Sequence, residues 1–473
     1  MHAIVRICLV VAVAASFALG GCTLAPRYER PELPVEGAWP ESARMTDEER
    51  DAADAAANRP WRTFFQDPVI VTLVETALAN NRDLRVAMLN IEKVRAQYWI
   101  QRADTLPTIN AVGQSSAQYL NKAVSGQGEA VISRQFTANV GFTAFELDLF
   151  GRIRSLNESA LQQFFSTEQA ARSAQVSLVA EVANAYLQLT ADREILALAK
   201  STHQNRKASY ELVVRMFEMG LTSQLTVNQA KTIVEEARVA AAQYETRVAQ
   251  GENLLVLLLG SPIPEGLELA ATLKDIKMLS DLPPGLPSDL MQRRPDILAA
   301  EHQLQSMNAN IGAARANFFP TLSITSSIGT IAPQFHDLFS LGAGTWMFQP
   351  QAVLPIFDTG RNIARLRVAE TDRDIAVAQY EKSIQTAFRE VADALVQRAN
   401  IGEQLDAQKA LVDATQAYYD LSGNRYEIGL DSYINVLDAQ RSLFSAQQGL
   451  INTVLLREAN SLNLYKALGG GWE

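Results

Sequence analysis

The sequence holds only two cysteines in 473 residues, and one of them, Cys8, lies in a segment with the marks of a cleaved leader. A chain left with Cys22 alone forms no intramolecular disulfide, so its stability must come from packing. Histidine is also scarce: beyond the leader only His203, His302 and His336 remain, and they share no ligand spacing. There is no Gly-rich phosphate loop, no paired-carboxylate motif and no nucleophile setting for Cys22, so the chemistry of an enzyme is missing and none is expected. Positive charge is in deficit, with 42 basic against 52 acidic residues and a formal net charge of −10. Without a basic patch, nucleic acid is not expected as a partner. Past the leader no stretch approaches eighteen uninterrupted apolar residues, which excludes a transmembrane helix and leaves any membrane crossing to strands.

What is present begins at the start of the chain. His2 and Arg6 precede an apolar run over residues 7–19, and Leu19-Gly20-Gly21-Cys22 follows, the pattern of a secretory signal peptide over 1–21. Cleavage before Cys22 frees its amine and thiol for a covalent N-acyl chain and an S-diacylglycerol, each buried methylene contributing about 0.8 kcal/mol of anchoring. Glycine at both positions before the cysteine is a less usual lipidation signal, and the alternative is an ordinary leader followed by a free thiol. Residues 22–67 carry Pro26, Pro31, Pro34, Pro40 and Pro60, which forbid a long helix and predict a tether along the surface of the folded body.

The strongest feature is an internal duplication. Gly220 and Gly429 open matching runs, GLTSQLTVNQA and GLDSYINVLDAQ, an offset of 209 residues from 220 to 429. The same offset pairs Gly151-Arg152 with Gly360-Arg361, Glu181-Val182-Ala183 with Glu390-Val391-Ala392, and Leu259-Gly260 with Leu468-Gly469. Nearer the start of each half the offset is 213, as from Asp83 to Asp296, so a loop absorbs a difference of four. The repeats are assigned to 68–260 and 288–473, with a Pro-rich linker over 261–287.

Each repeat runs through the same elements. A helix is predicted over 68–103 and again over 288–317, each ending before a Leu-Pro or Phe-Pro pair. Period-two alternation then predicts two strands per repeat. Ile109, Ala111, Gly113 and Ala117 alternate with polar residues, as do Phe136, Ala138, Val140, Phe142 and Ala144. Leu322, Ile324 and Ile328 alternate with Thr321, Ser323, Thr325 and Ser327, and Trp346, Phe348 and Ala352 with Met347, Gln349 and Gln351. One face is apolar and aromatic, the other small and polar, the pattern of a wall between lipid and water; a soluble sandwich is the competing reading. Four strands cannot close a barrel, and open edges in lipid leave backbone groups unpaired, so at least two chains must contribute to one barrel.

Helical patterns without internal proline follow over 152–219 and 361–428, each about 100 Å long at 1.5 Å per residue. Ile384, Phe388, Val391 and Leu395, like Val182, Tyr186 and Leu189, step by three and four as a coiled-coil seam requires. Gly220 and Gly429 break these helices, and shorter ones return over 223–259 and 432–468. The fold class is therefore mainly α with a transmembrane β part.

These features are joined by specific motifs: NRDLRVAMLNIEKVRAQY from Asn81, FELDLFGR from Phe145, QRRPDILAAEHQL from Gln292, IGAARANFFP from Ile311, LDAQRSLFSAQQ from Leu437 and LYKALGGGW from Leu464. Across essentially the whole chain the sequence resembles the outer-membrane factors of tripartite multidrug efflux systems, the TolC family, in particular its OprM-like, NodT-type lipoproteins. The resemblance implies an internally duplicated α/β barrel protomer. Four strands per protomer would join a twelve-stranded barrel in the outer membrane of a homotrimer, and the long helices would build a periplasmic α-helical barrel. It implies a gated exit duct of an RND-type pump for drugs and other small toxic compounds. The partners would be a periplasmic adaptor (membrane fusion) protein and an inner-membrane proton-driven transporter.

The resemblance also places a periplasmic gate. Asp438 would give a ring of three carboxylates and Ile434 an apolar ring beside it, with Arg425 and Tyr426 holding the long helix in the closed state. Three clustered carboxylates repel and need compensation from protons, cations or donors. Asn435 stands where TolC itself has a second aspartate, so a single-aspartate ring is expected. For Asp438 alone a solvated helix-surface carboxylate is the competing reading. Asp431 and Thr222 are expected to begin the returning helices as caps. Gly220, Leu221, Gly429 and Leu430 form the tips expected to dock the adaptor, although a bare helical turn would look the same. Met216 and Met219 suggest copper or silver handling, against the competing reading of tip packing. A type I secretion or metal-ion efflux duct is the alternative within the class, and a non-conducting structural periplasmic lipoprotein the alternative outside it.

Overall fold

The computed structural model describes residues 23–35, 60–126, 128–278 and 293–470. The signal peptide and Cys22 lie outside the described residues, as does the end of the linker. In chain order the helices and strands are α1 (Trp61–Phe64), α2 (Pro68–Asn80), α3 (Arg82–Ala103), β1 (Asn110–Leu120), β2 (Val131–Leu147), α4 (Arg152–Glu218), α5 (Gln224–Leu259), α6 (Pro295–Ala316), β3 (Thr321–Ala332), β4 (Gly344–Val353), α7 (Arg361–Glu427) and α8 (Tyr433–Ala467). The chain divides into two compact units, one of Met1–Glu32, Ile91–Thr167 and Ala299–Tyr380, the other of Leu33–Asn90, Glu168–Leu298 and Glu381–Glu473. Each draws on both repeats.

The first unit contains a four-stranded antiparallel sheet in the order β1-β2-β3-β4, so the two hairpins pair with each other through β2 and β3. Cross-strand partners share a face. Val140 pairs with Ala111 and Ile328, and Ile328 with Trp346; Phe142 pairs with Ser326, and Ser326 with Phe348. One continuous apolar face results. Among the described residues no protein core lies behind it: Ile328 is 70% exposed, Trp346 76% and Phe348 58%. A soluble sandwich buries one face of each sheet, so that reading is overturned. The alternation in β2 breaks at one point. The register slips between Phe142 and Phe145, and Ala144 takes φ +52°, its N–H donating to the Thr325 hydroxyl at 3.0 Å. Ala144 is therefore not the next member of the apolar row, because the bulge hands that place to Phe145, whose ring meets Phe142 edge-on at 6.1 Å.

In the same unit, residues 24–30 of the tether lie along α6. Asn308 donates to the Pro26 carbonyl at 2.8 Å, Arg315 to that of Leu24 at 3.3 Å, and Arg30 makes a bidentate bond to Glu301. Gly312 permits this approach, since a Cβ there would stand 2.7 Å from the Ala25 nitrogen.

In the second unit the seam residues Val182, Tyr186, Leu189, Ile384, Val391 and Leu395 are buried, and Phe388 is half-buried. Phe64 stacks on Tyr465 at 4.2 Å, joining the end of the tether to α8. The helix expected over 68–103 is two helices. Asn81 takes an extended conformation, its side chain donating to the Leu258 carbonyl and accepting from the Leu84 N–H, both at 2.8 Å. The break makes room for the end of α5, where Gly260 sits so close that a Cβ would lie 2.3 Å from the Asn80 carbonyl oxygen. In the second repeat α6 begins at Pro295, where a missing N–H costs nothing, and residues 279–292 ahead of it lie outside the described residues.

Candidate functional site

The tip lies wholly in the second unit, where α4 and α7 end in the same turn, 209 residues apart. Gly220 and Gly429 both adopt φ +75°, a conformation costly to a residue with a Cβ. The Leu221 N–H reaches back to the Met216 carbonyl at 2.8 Å, and that of Leu430 to the Arg425 carbonyl at 2.9 Å. These bonds satisfy helix-end carbonyls and turn both leucine side chains out to solvent.

The caps fall one residue later than expected. Ser223, not Thr222, begins α5, accepting from the Thr226 N–H at 3.3 Å, and Ser432 is the capping position of α8. Asp431 instead ties the second turn together. It accepts from the Ser432 N–H at 3.0 Å, from the Asn435 amide, and from Arg425 Nε at 3.2 Å. The Asn435 bond, then those from Ser432 and Arg425, hold its carboxyl below the usual range.

Arg425 thus contacts Asp431 and is engaged within its own turn. Tyr426 stands next to it, its ring 5.1 Å from that of Tyr433 and its hydroxyl 4.0 Å from the Met216 sulfur of α4. Met216 therefore packs between the repeats at the tip, while Met219 is exposed. Burial pushes the Tyr433 hydroxyl up to about 12.

Ile434 and Asp438 lie one turn apart on the open side of α8, Ile434 44% exposed and the Asp438 side chain 56%. Asp438 has a neighbour the sequence reading missed: Arg441 stands 3.6 Å from it and 3.4 Å from Glu236 of α5. The i,i+3 spacing of Asp438 and Arg441 was a usable signal. The Glu236 contact, 205 residues distant in sequence, had none. Among the described residues no group of three or more His, Cys, Asp or Glu side chains is placed to hold a metal ion.

A family model described as outer membrane efflux protein matches residues 73–261 and 286–470. The chain is 51% identical over 457 residues to the antibiotic efflux pump outer membrane protein ArpC of Pseudomonas putida, covering 97% of this chain and 94% of that one. The toluene efflux pump outer membrane protein TtgC, also of Pseudomonas putida, matches with the same identity and coverage. Among solved structures, the open state of the Neisseria gonorrhoeae MtrE outer membrane channel superposes with a TM-score of 0.85 at 36% identity, covering 96% of this chain and 99% of that chain.

Proposed function

This chain belongs to the outer membrane efflux protein family and is the outer-membrane channel of an efflux pump, and we propose that its passage is gated at the tip by the ring of Asp438 with Ile434 beside it. The observation that carries the gate is the open face of α8, where an exposed carboxylate and an exposed isoleucine stand one turn apart with Arg441 at 3.6 Å from the carboxylate. Copies of Asp438 brought together repel, and Arg441 supplies the compensating charge from the same helix. Arg425 and Tyr426 act on the turn that carries α8, through Asp431 and Tyr433.

The channel works as a homotrimer, with an adaptor and an inner-membrane transporter as its partners in a tripartite pump. The single protomer's sheet supports this: it has two apolar-faced edge strands, β1 and β4, which only neighbouring protomers can pair within lipid. Gly220, Leu221, Gly429 and Leu430 offer the adaptor an apolar docking tip. Cys22 carries the lipid anchor. The relatives named for antibiotics and toluene support small, largely apolar compounds as cargo, and the polar face of the sheet supports passive conduction with no catalysis.

Single-channel conductance of the trimer in planar bilayers tests the gate. Wild type should show a small, cation-preferring conductance that rises in Asp438→Ala. Equal conductance in the two, in folded and inserted samples, removes Asp438 from the gate.

A further inference from the structure

The second unit buries a cation that has no carboxylate against it among the described residues. Arg206 of α4 is only 5% exposed, and its guanidinium bonds to two main-chain carbonyls, Ile233 of α5 at 3.1 Å and Gln440 of α8 at 3.3 Å. It also lies 5.5 Å from the ring of Phe444, one turn further along α8. Glu236, whose charge acts on Arg206 from a distance, is bonded to Arg441 instead. Burying a guanidinium among carbonyls is costly, and burial accordingly lowers its affinity for its proton. A methionine or leucine would fill such a position with less expense of solvation, so the charge has a use other than filling space.

Three features identify that use. Helix carbonyls keep a second lone pair after their helical bond, so one planar guanidinium can hold two helices at a fixed separation. The helix it holds is α8, and the carbonyl it grips is only two residues beyond Asp438. The duplication is broken at this position. The repeat equivalent of Arg206 is Thr415, whose hydroxyl is turned back on its own helix, to the Leu411 and Val412 carbonyls. The link therefore runs one way, from the first helical hairpin to the returning helix of the second.

The joint also has unused capacity. Arg206 Nε and Gln440 Oε1 are both buried, and neither has a hydrogen-bond partner among the described residues. A donor and an acceptor left over at the same joint mean that the joint is held by fewer bonds than its groups can make, so its grip on α8 can be strengthened as well as removed.

We infer that Arg206 is a positioning residue for the gate, a buried latch by which the first hairpin sets where α8 holds Asp438. The inference rests on the gate reading given above. Removing the latch frees α8 and opens the passage; strengthening it holds the passage shut.

The test uses the full-length trimer in planar bilayers, with Arg206→Met and Gln440→Glu as opposed changes and Asp438→Ala alongside. Arg206→Met removes the charge at similar volume and should raise conductance several-fold, with helicity and trimer melting close to wild type. Gln440→Glu puts a negative charge on the residue whose carbonyl Arg206 already holds, which should strengthen the hold on α8 and lower conductance below wild type. Arg206→Lys, reaching one carbonyl, should fall between wild type and Arg206→Met. A role in folding alone would move melting and leave conductance per inserted channel unchanged in all three, which overturns the latch. Shifts of Arg206→Met and Gln440→Glu in the same direction overturn it as well. If Arg206→Met does not assemble, Gln440→Glu decides: lowered conductance supports the latch and wild-type conductance overturns it. An altered Asp438→Ala beside unaltered Arg206 and Gln440 variants sinks the latch alone, whereas an unaltered Asp438→Ala sinks the gate reading itself.

Discussion

Arg30 meets Glu301 through two parallel bonds of 2.9 Å each, and the hydroxyl of Tyr28 reaches the same carboxylate at 3.0 Å. The Glu301 side chain is 6% exposed and that of Arg30 47%, so the acid is part of the folded surface of α6 and the arginine arrives with the tether. The bidentate geometry and the shielding of one partner set this pair apart from an ordinary surface ion pair.

Glu301→Ala should therefore release the tether and leave the body folded. Losing a charged bond of this type costs about 1–3 kcal/mol, enough to speed cleavage within residues 23–33 on the order of tenfold. Limited proteolysis of the purified trimer reads this directly; cleavage at the wild-type rate would show that the tether is held elsewhere.

At the tip, Gly429→Val forces a β-branched side chain into φ +75°. The cost is about 1–2 kcal/mol from the backbone alone, although a Cβ there meets nothing within 4 Å. Adaptor binding to the variant should weaken, and Gly429→Asn should do less harm because asparagine tolerates this conformation. Equal binding by wild type and the valine variant would remove the turn from the docking surface.

Asp431 gives the second turn a pH dependence. Its folded pKa lies below the value of about 3.9 that it has unfolded, so its stabilisation is fully present above that value. It is lost as pH falls from there through the folded pKa. Proteolysis of the tip by an acid-active protease should accelerate below about pH 4 in wild type and change little with pH in Asp431→Asn. A wild type with no acid step would contradict the triple bonding at this carboxylate.

In the sheet, a Cβ at Gly329 would stand 2.1 Å from the Ala138 carbonyl oxygen, backbone against backbone. Gly329→Ala must displace β3 from β2, so the variant should assemble poorly. The yield of heat-resistant trimer on unheated gels measures this, and a normal yield would show that the strands separate without cost.

Much of this was legible because it depends on short-range pattern. Period-two alternation placed all four strands, and the matched glycines placed both helix ends, because a turn with positive φ selects glycine wherever it falls. The break at Asn81 was not legible. Nothing in residues 68–103 forbids a continuous helix, and the bond that fixes the break is made to Leu258, 177 residues away. The bulge at Ala144 hid for a related reason: alanine carries no mark of positive φ, and the surplus residue shows only against the register of β3. At the proposed gate, residues on one helix face could be read from spacing. Arg441 with Glu236 and Arg206 with Gln440 join elements far apart in sequence, and only the fold brings them together.

The sheet with two bare faces and two open edges has a consequence for the protein's life before it reaches its destination. A solitary protomer carrying that sheet fully formed would be sticky in water and incomplete in lipid, with rows of unpaired amides inviting any passing strand. Strand formation, association and insertion must therefore be completed together, so the supply of neighbouring copies governs how long each newly exported chain remains at risk of aggregation.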